Sequence, residues 1–191
     1  MPNEEDHASM GPILETERLL LRQFVPGDAE ELFRLHSDLE VLRYTGDTAP
    51  ADIEEARRLL AARQIADYER YGFGRWVCML KATGSFVGWA GLKYLPELGE
   101  VDLGYRLRRD WWGRGLATEA ARGCVEYGFA MLSLPRIIGV VEPAHAASIR
   151  VLEKAGFHRD GEMTYRGSAV LRYVRLRGAA RVEGAAPRDI D

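Results

Sequence analysis

At 191 residues, 47% hydrophobic and with a formal net charge of −3, the chain has the size and balance of one ordinary globular domain. The slight acidity counts against a dedicated nucleic-acid or anionic-membrane partner, and no run approaches the ~18 apolar residues of a spanning helix. Two cysteines, Cys78 and Cys124, build neither a disulfide framework nor a zinc spacing, and the four histidines form no ligand cluster, so no metal is expected and a reducing, cytoplasmic setting is.

Residues 1–12 are polar and acidic, unlike a signal peptide, and read as a flexible tail. Residues 17–24 read as a first strand. Pro26-Gly27-Asp28 then punctuates, with Asp28 an N-cap for an amphipathic helix through Leu32, Leu35 and His36. Asp52 caps a longer helix to about Tyr71, closed by Gly72 and Gly74. Strands follow at 76–81 and 85–94, joined as a hairpin by Ala82-Thr83-Gly84.

The strand at 101–107 alternates Val101, Leu103, Tyr105 and Leu107 with Asp102, Gly104 and Arg106. A helix follows over 116–132, carrying Leu116, Ala120, Cys124, Tyr127 and Met131 at helical spacing, and Pro135 stops it. Residues 136–141 form a near-continuous apolar strand. A short helix at 148–155 has Gly156 at its C-terminal cap position, and strands near 158–165 and 169–176 turn around Gly167. Residues 179–191 read as a second tail. One α/β (α+β) domain over 13–178 results.

Between the strand at 101–107 and the helix after it lies Trp112-Gly-Arg-Gly-Leu-Ala-Thr118. Two glycines at a helix start let backbone N–H groups approach an anion, and the helix dipole favours negative charge there. A dinucleotide-binding reading nearly fits, but Arg108–Trp112 separate the strand from Gly113. The third glycine position is also Thr118, and no repeated βαβ units precede it. No Gly-Lys-Ser/Thr follows, so a phosphate-binding P-loop is excluded. On local sequence alone, a tight strand-to-helix turn explains Gly113 and Gly115 as well as a cofactor loop does.

Four segments together resemble the Gcn5-related N-acetyltransferases, in the branch that acetylates ribosomal-protein N-termini (RimJ/RimL-like). They are Glu15-Thr-Glu-Arg-Leu-Leu-Leu-Arg22, Leu103-Gly-Tyr-Arg-Leu107, Trp112-Gly-Arg-Gly-Leu-Ala-Thr-Glu-Ala120 and Ser148-Ile-Arg-Val-Leu-Glu-Lys-Ala-Gly-Phe157. The resemblance implies a mixed, mostly antiparallel sheet of about seven strands, splayed at its middle and flanked by about four helices. It implies acetyl-CoA as acyl donor, bound by Trp112, Gly113, Arg114, Gly115, Ala117 and Thr118 at the pyrophosphate. Tyr105, Arg106 and Leu107 would pair with the pantetheine arm as an added strand does, and a backbone N–H near Leu107 would polarise the thioester.

Where the family carries Asn before the last helix this chain has His145, which could hold the splayed strands or the pantetheine, or join proton transfer. The helix Tyr that many members use as acid corresponds to Leu152. Ser148 stands at the position given that role in the Rim-like branch. Asp102 is the expected base, with Glu142 and His145 in reserve, and Glu119 is expected to complement the helix dipole. The acceptor is an amine, a protein N-terminus or a small molecule, in a pocket framed by the first helices and lined by Tyr44, Trp76, Trp89, Tyr94 and Tyr165. A non-catalytic acyl-CoA sensor is the alternative, and a homodimer is left open.

Overall fold

The computed structural model describes residues 11–178. Eight strands run β1 Leu14–Glu15, β2 Leu19–Arg22, β3 Arg75–Leu80, β4 Ser85–Leu95, β5 Glu100–Leu107, β6 Arg136–Val141, β7 His158–Tyr165 and β8 Ser168–Leu176. Five helices accompany them: α1 Ala29–Ser37, α2 Leu39–Leu42, α3 over residues 53–71 with a π-turn at Ala61–Ile65, α4 Leu116–Ala130 and α5 Ala146–Lys154. The expected tails fall, for residues 1–10 and 179–191, outside the described residues.

All strands join one sheet in the order β1-β2-β3-β4-β5-β6-β8-β7. Every neighbouring pair is antiparallel except β5 and β6, which are parallel. The mixed, mostly antiparallel sheet is as expected, with one strand more. The extra strand arises because the turn closed by the Thr16 N–H on the Leu19 carbonyl, 2.9 Å, folds Leu14–Glu15 back over Leu20–Leu21.

The period of two along each strand sorts side chains into two cores. On one face Leu103, Ile137 and Trp76 pack with Leu116, Ala120 and Cys124 of α4 and Leu152 of α5. On the other, Val77, Phe86 and Trp89 meet Leu32 and Leu35 of α1 and Leu60 of α3. Asp52 caps α3 by accepting the Glu55 N–H at 2.7 Å, and Gly72 ends it in the left-handed region. Asp28 does not cap α1 with its side chain. It is buried, accepts two bonds from the Arg22 guanidinium at 2.7 Å each, and takes the Val25 N–H at 2.9 Å.

The pairing between neighbouring strands is sparsest at the centre of the sheet. β5 and β6 share one paired position, Asp102 with Ile138. Beyond it β5 continues to Leu107 and β6 to Val141, and the two strands part.

Candidate active site

The loop from β5 to α4 makes a short 3₁₀ turn at Arg109–Trp111 and reaches Gly113 and Gly115 at φ +73° and +77°, a region side chains enter only with strain. A Cβ at Gly113 would meet nothing within 4 Å, so its need for glycine is conformational. Gly115 stands at the N-cap of α4 with no side-chain cap, and the first intrahelical bond runs from the Glu119 N–H to the Gly115 carbonyl, 3.0 Å. The N–H groups of Leu116, Ala117 and Thr118 therefore have no partner in the helix, the arrangement that receives an anion.

What holds the loop comes from the far edge of the sheet. Glu119 accepts the Thr16 hydroxyl at 2.6 Å, the Arg18 N–H at 2.7 Å and the Arg18 Nε at 2.6 Å, while Arg18 Nη1 donates to the Arg114 carbonyl at 2.9 Å. Burial pushes the Glu119 carboxyl up, but these bonds outweigh it and hold it below the ordinary glutamate value. The expected dipole role of Glu119 is thus overshadowed by an anchoring one.

A cavity of about 510 Å³ runs from this loop along the end of β5 to α5. Tyr105, Arg106 and Leu107 line it from β5, Trp112, Gly113, Gly115, Ala117 and Thr118 from the loop, and His145 and Ser148 from the start of α5. Arg114 is not on its wall: its guanidinium lies 4.9 Å from the Trp111 ring centroid, drawn there by the ring face. The Trp112 indole N–H donates to the Leu107 carbonyl at 2.8 Å, tying the loop to the end of β5.

A second cavity, about 870 Å³, lies on the α1–α3 side of the sheet, and Tyr44, Thr45, Tyr105, Arg106, His145 and Ser148 border both. Of the aromatics expected here, Tyr44, Trp89 and Tyr165 line the second cavity. Trp76 instead packs edge-on to Tyr127 in the core, and Tyr94 lies against Tyr71, because both strand positions face apolar neighbours.

Ser148 sits in the first turn of α5, where Tyr105 reaches it across the gap. The Tyr105 hydroxyl donates to the Ser148 carbonyl at 2.9 Å and stands 2.9 Å from Ser148 Oγ. Burial raises the Tyr105 pKa, so the phenol stays protonated. The His145 ring stacks on Tyr44, centroids 4.6 Å apart, and makes no hydrogen bond among the described residues; burial lowers its pKa and keeps it neutral near pH 7. It does not tie the parted strands together.

That tie is Asp102. The carboxylate is buried, accepts Arg75 Nη2 at 2.6 Å through Oδ2, and accepts the Val140 N–H of β6 at 3.1 Å through Oδ1. Burial pushes its pKa up, the direction a base needs, with Arg75 opposing. Both oxygens are nonetheless engaged, and Asp102 lines only the second cavity. Arg75 reaches it because Gly104 has no side chain: a Cβ there would lie 2.4 Å from the guanidinium. Arg75 carried no sequence signal.

A helix N-terminus free for an anion thus stands beside parted strands, with a second chamber joined to it through the gap. A family model for the acetyltransferase (GNAT) domain matches residues 18–158, and the chain belongs to that family. It is therefore an N-acetyltransferase-class enzyme. The uncharacterized N-acetyltransferase p20 of Bacillus licheniformis is 36% identical over 150 residues, 78% of this chain and 83% of that protein. The uncharacterized N-acetyltransferase YoaA of Bacillus subtilis is 37% identical over 153 residues, 80% and 86% of the two chains. A crystal structure of a GNAT-family acetyltransferase from Bacillus anthracis superposes with a TM-score of 0.74 at 26% identity, covering 87% of this chain and 99% of that one.

Proposed function

We propose that the enzyme transfers the acetyl group of acetyl-CoA to a primary amine, with the donor in the 510 Å³ cavity and the amine entering from the 870 Å³ one. The observation that carries this is the meeting of the two cavities at Tyr105, Arg106, His145 and Ser148, where β5 and β6 have parted. The residues suit the donor: unpaired N–H groups at the start of α4 face a pyrophosphate, and the edge of β5 that β6 leaves open beyond Asp102 offers its backbone to an amide-bearing arm. Bound acetyl-CoA supplies an activated thioester.

The chain's own groups do the rest. β5 and α5 orient the reacting ends within the gap. Ser148 Oγ, positioned by the Tyr105 phenol, holds a proton for the departing thiol. His145, kept neutral by burial, stands on the border of both cavities as acceptor of the amine proton. Asp102 is better suited to holding the strands than to taking a proton, because its oxygens are already bonded. A protein N-terminal amine, as in the Rim-like branch, and a small-molecule amine both meet this description of the acceptor.

The test is calorimetric titration with acetyl-CoA and, separately, NADH, followed by thiol release with a panel of amines. Selective acetyl-CoA binding lost in Gly115→Glu, with amine-dependent thiol release, is the expected result. Binding without release to any amine would make the protein a sensor, and NADH binding alone would overturn the acetyltransferase reading.

A further inference from the structure

The acceptor chamber is bordered, histidines aside, by six cationic side chains and four carboxylates. Three of the four carboxylates are already matched. Asp102 takes Arg75 at 2.6 Å, Asp67 takes Lys93 at 2.8 Å, and Asp47 takes Arg106 at 2.7 Å with Arg63 3.7 Å away. That leaves Glu142 as the one carboxylate of the chamber without an ion pair among the described residues; Arg43 is held by Glu40 at 3.5 Å, and of the six cations only Arg166 is without an ion pair there.

Arg106 is the informative one. Its side chain is 8% exposed and lies 5.3 Å over the Trp89 ring; Nη2 is bound to Asp47, and Nη1 is buried with no acceptor. A buried guanidinium nitrogen without a partner is costly, and the native remedy is an acceptor. Among the described residues no neighbouring group fills that role, and the strand position puts Arg106 beside the point where the cavities meet. A chamber made for a polyamine or another purely cationic acceptor would be lined the other way, with free carboxylates.

We propose that the acceptor carries a compact anion, a carboxylate or a phosphate, besides its amine, and that Arg106, with Arg63, receives it on the Trp89 side of the chamber. The inference rests on reading this chamber as the acceptor side. A charge-assisted contact from Arg106 Nη1, with Nη2 kept by Asp47, then selects the acceptor. The amine end lies toward His145 and Ser148.

The test compares matched acceptors in the thiol-release assay: amino acids, their amides, diamines of equal length, ethanolamine against phosphoethanolamine, and an uncharged-side-chain peptide. The anion-bearing member of each pair should be preferred by roughly tenfold or more in kcat/KM. Arg106→Gln should erase the preference, and Arg63→Gln, at a half-exposed position that folding does not depend on, should reduce it. Diamines or the peptide being used as well or better would overturn the proposal, as would a preference that survives both substitutions. Should every acceptor be inert, succinate and inorganic phosphate are titrated calorimetrically into CoA-saturated protein. Binding weakened in both variants supports the proposal, and no binding overturns it while leaving the donor reading intact. Failure of wild-type protein to bind acetyl-CoA overturns both.

Discussion

Replacing Asp102 with Asn separates a structural carboxylate from a chemical one. Asp102 and Arg75 are 10% and 11% exposed at their side chains, and the carboxylate is the one acid paired with that guanidinium among the described residues. Asparagine keeps the shape but not the charge. Arg75 would retain the Gly91 and Asp102 carbonyls as neutral acceptors, and the single amide oxygen would serve either Arg75 or the Val140 N–H, not both. Breaking a buried pair by removing one partner costs about 3–5 kcal/mol. With one acceptor kept, the lower end, about 3 kcal/mol, is expected. At roughly 2–4 °C per kcal/mol for a domain this size, melting should fall by about 6–12 °C. Urea unfolding gives the free energy. An Arg75→Met partner substitution should restore part of the loss, because the unpaired charge goes with it. If Asp102→Asn unfolds within about 1 kcal/mol of wild type while turnover collapses a hundredfold, the carboxylate is the base and the structural argument is wrong.

Three further outcomes follow from the same geometry. Arg18→Met removes the clamp on Glu119 and the Arg114 carbonyl; KM for acetyl-CoA should rise about tenfold, with kcat nearly unchanged, and an unaltered KM would deny the clamp its role. Tyr105→Phe keeps the ring but frees Ser148; kcat should fall about tenfold at constant acetyl-CoA affinity. Ser148→Ala on top of it should cost little more, whereas additive losses would mean the two hydroxyls act apart. His36 has a folded-state pKa lowered to about 3, chiefly by burial and then by Arg106, against 6.5 in the unfolded chain. Below about pH 6.5 the unfolded chain takes a proton the folded one refuses, so stability is undiminished above that pH and falls as pH drops. By about pH 5.5 the loss is about 1.4 kcal/mol. Urea midpoints for His36→Asn should show that much less acid sensitivity, and an identical slope would show that His36 is not the group involved.

How far the sequence carried depends on the range of the interaction. β6 at Arg136–Val141, the glycine loop and the caps at Asp52, Gly72 and Gly156 are local signals, and they were legible as runs, spacings and turn residues. Asp28 read as an N-cap because Pro-Gly-Asp before an apolar-periodic stretch is what a helix start looks like. Nothing in the Pro-Gly-Asp turn announces that Arg22, six residues before Asp28 at the end of β2, will pair with the carboxylate. Arg75 with Asp102 and Arg18 with Glu119 join residues 27 and 101 apart, and a single chain offers no pattern that links such positions. Tyr105 was legible as a strand residue on the core face. Its hydroxyl contact with Ser148 depends on β5 and α5 meeting across a gap that only the tertiary structure opens.

That gap is best understood through its two ends. A parallel strand pair left to itself would continue to hydrogen bond along its length, so parting requires one end to be fixed and the other to be occupied by something else. At the fixed end Asp102 accepts a bond from β6 while its own strand pairs with β4, and Arg75, lying in the space Gly104 leaves, supplies the charge that makes the carboxylate tolerable there. At the open end the Tyr105 phenol bonds Ser148 of α5 across the gap. One face of β5 thus sends Asp102 and Arg106 into the larger cavity, and the other sends Tyr105 to α5. The alternation of a single strand separates the tie to β6 from the contact with α5, which is why a one-residue slip of β5 would abolish both together.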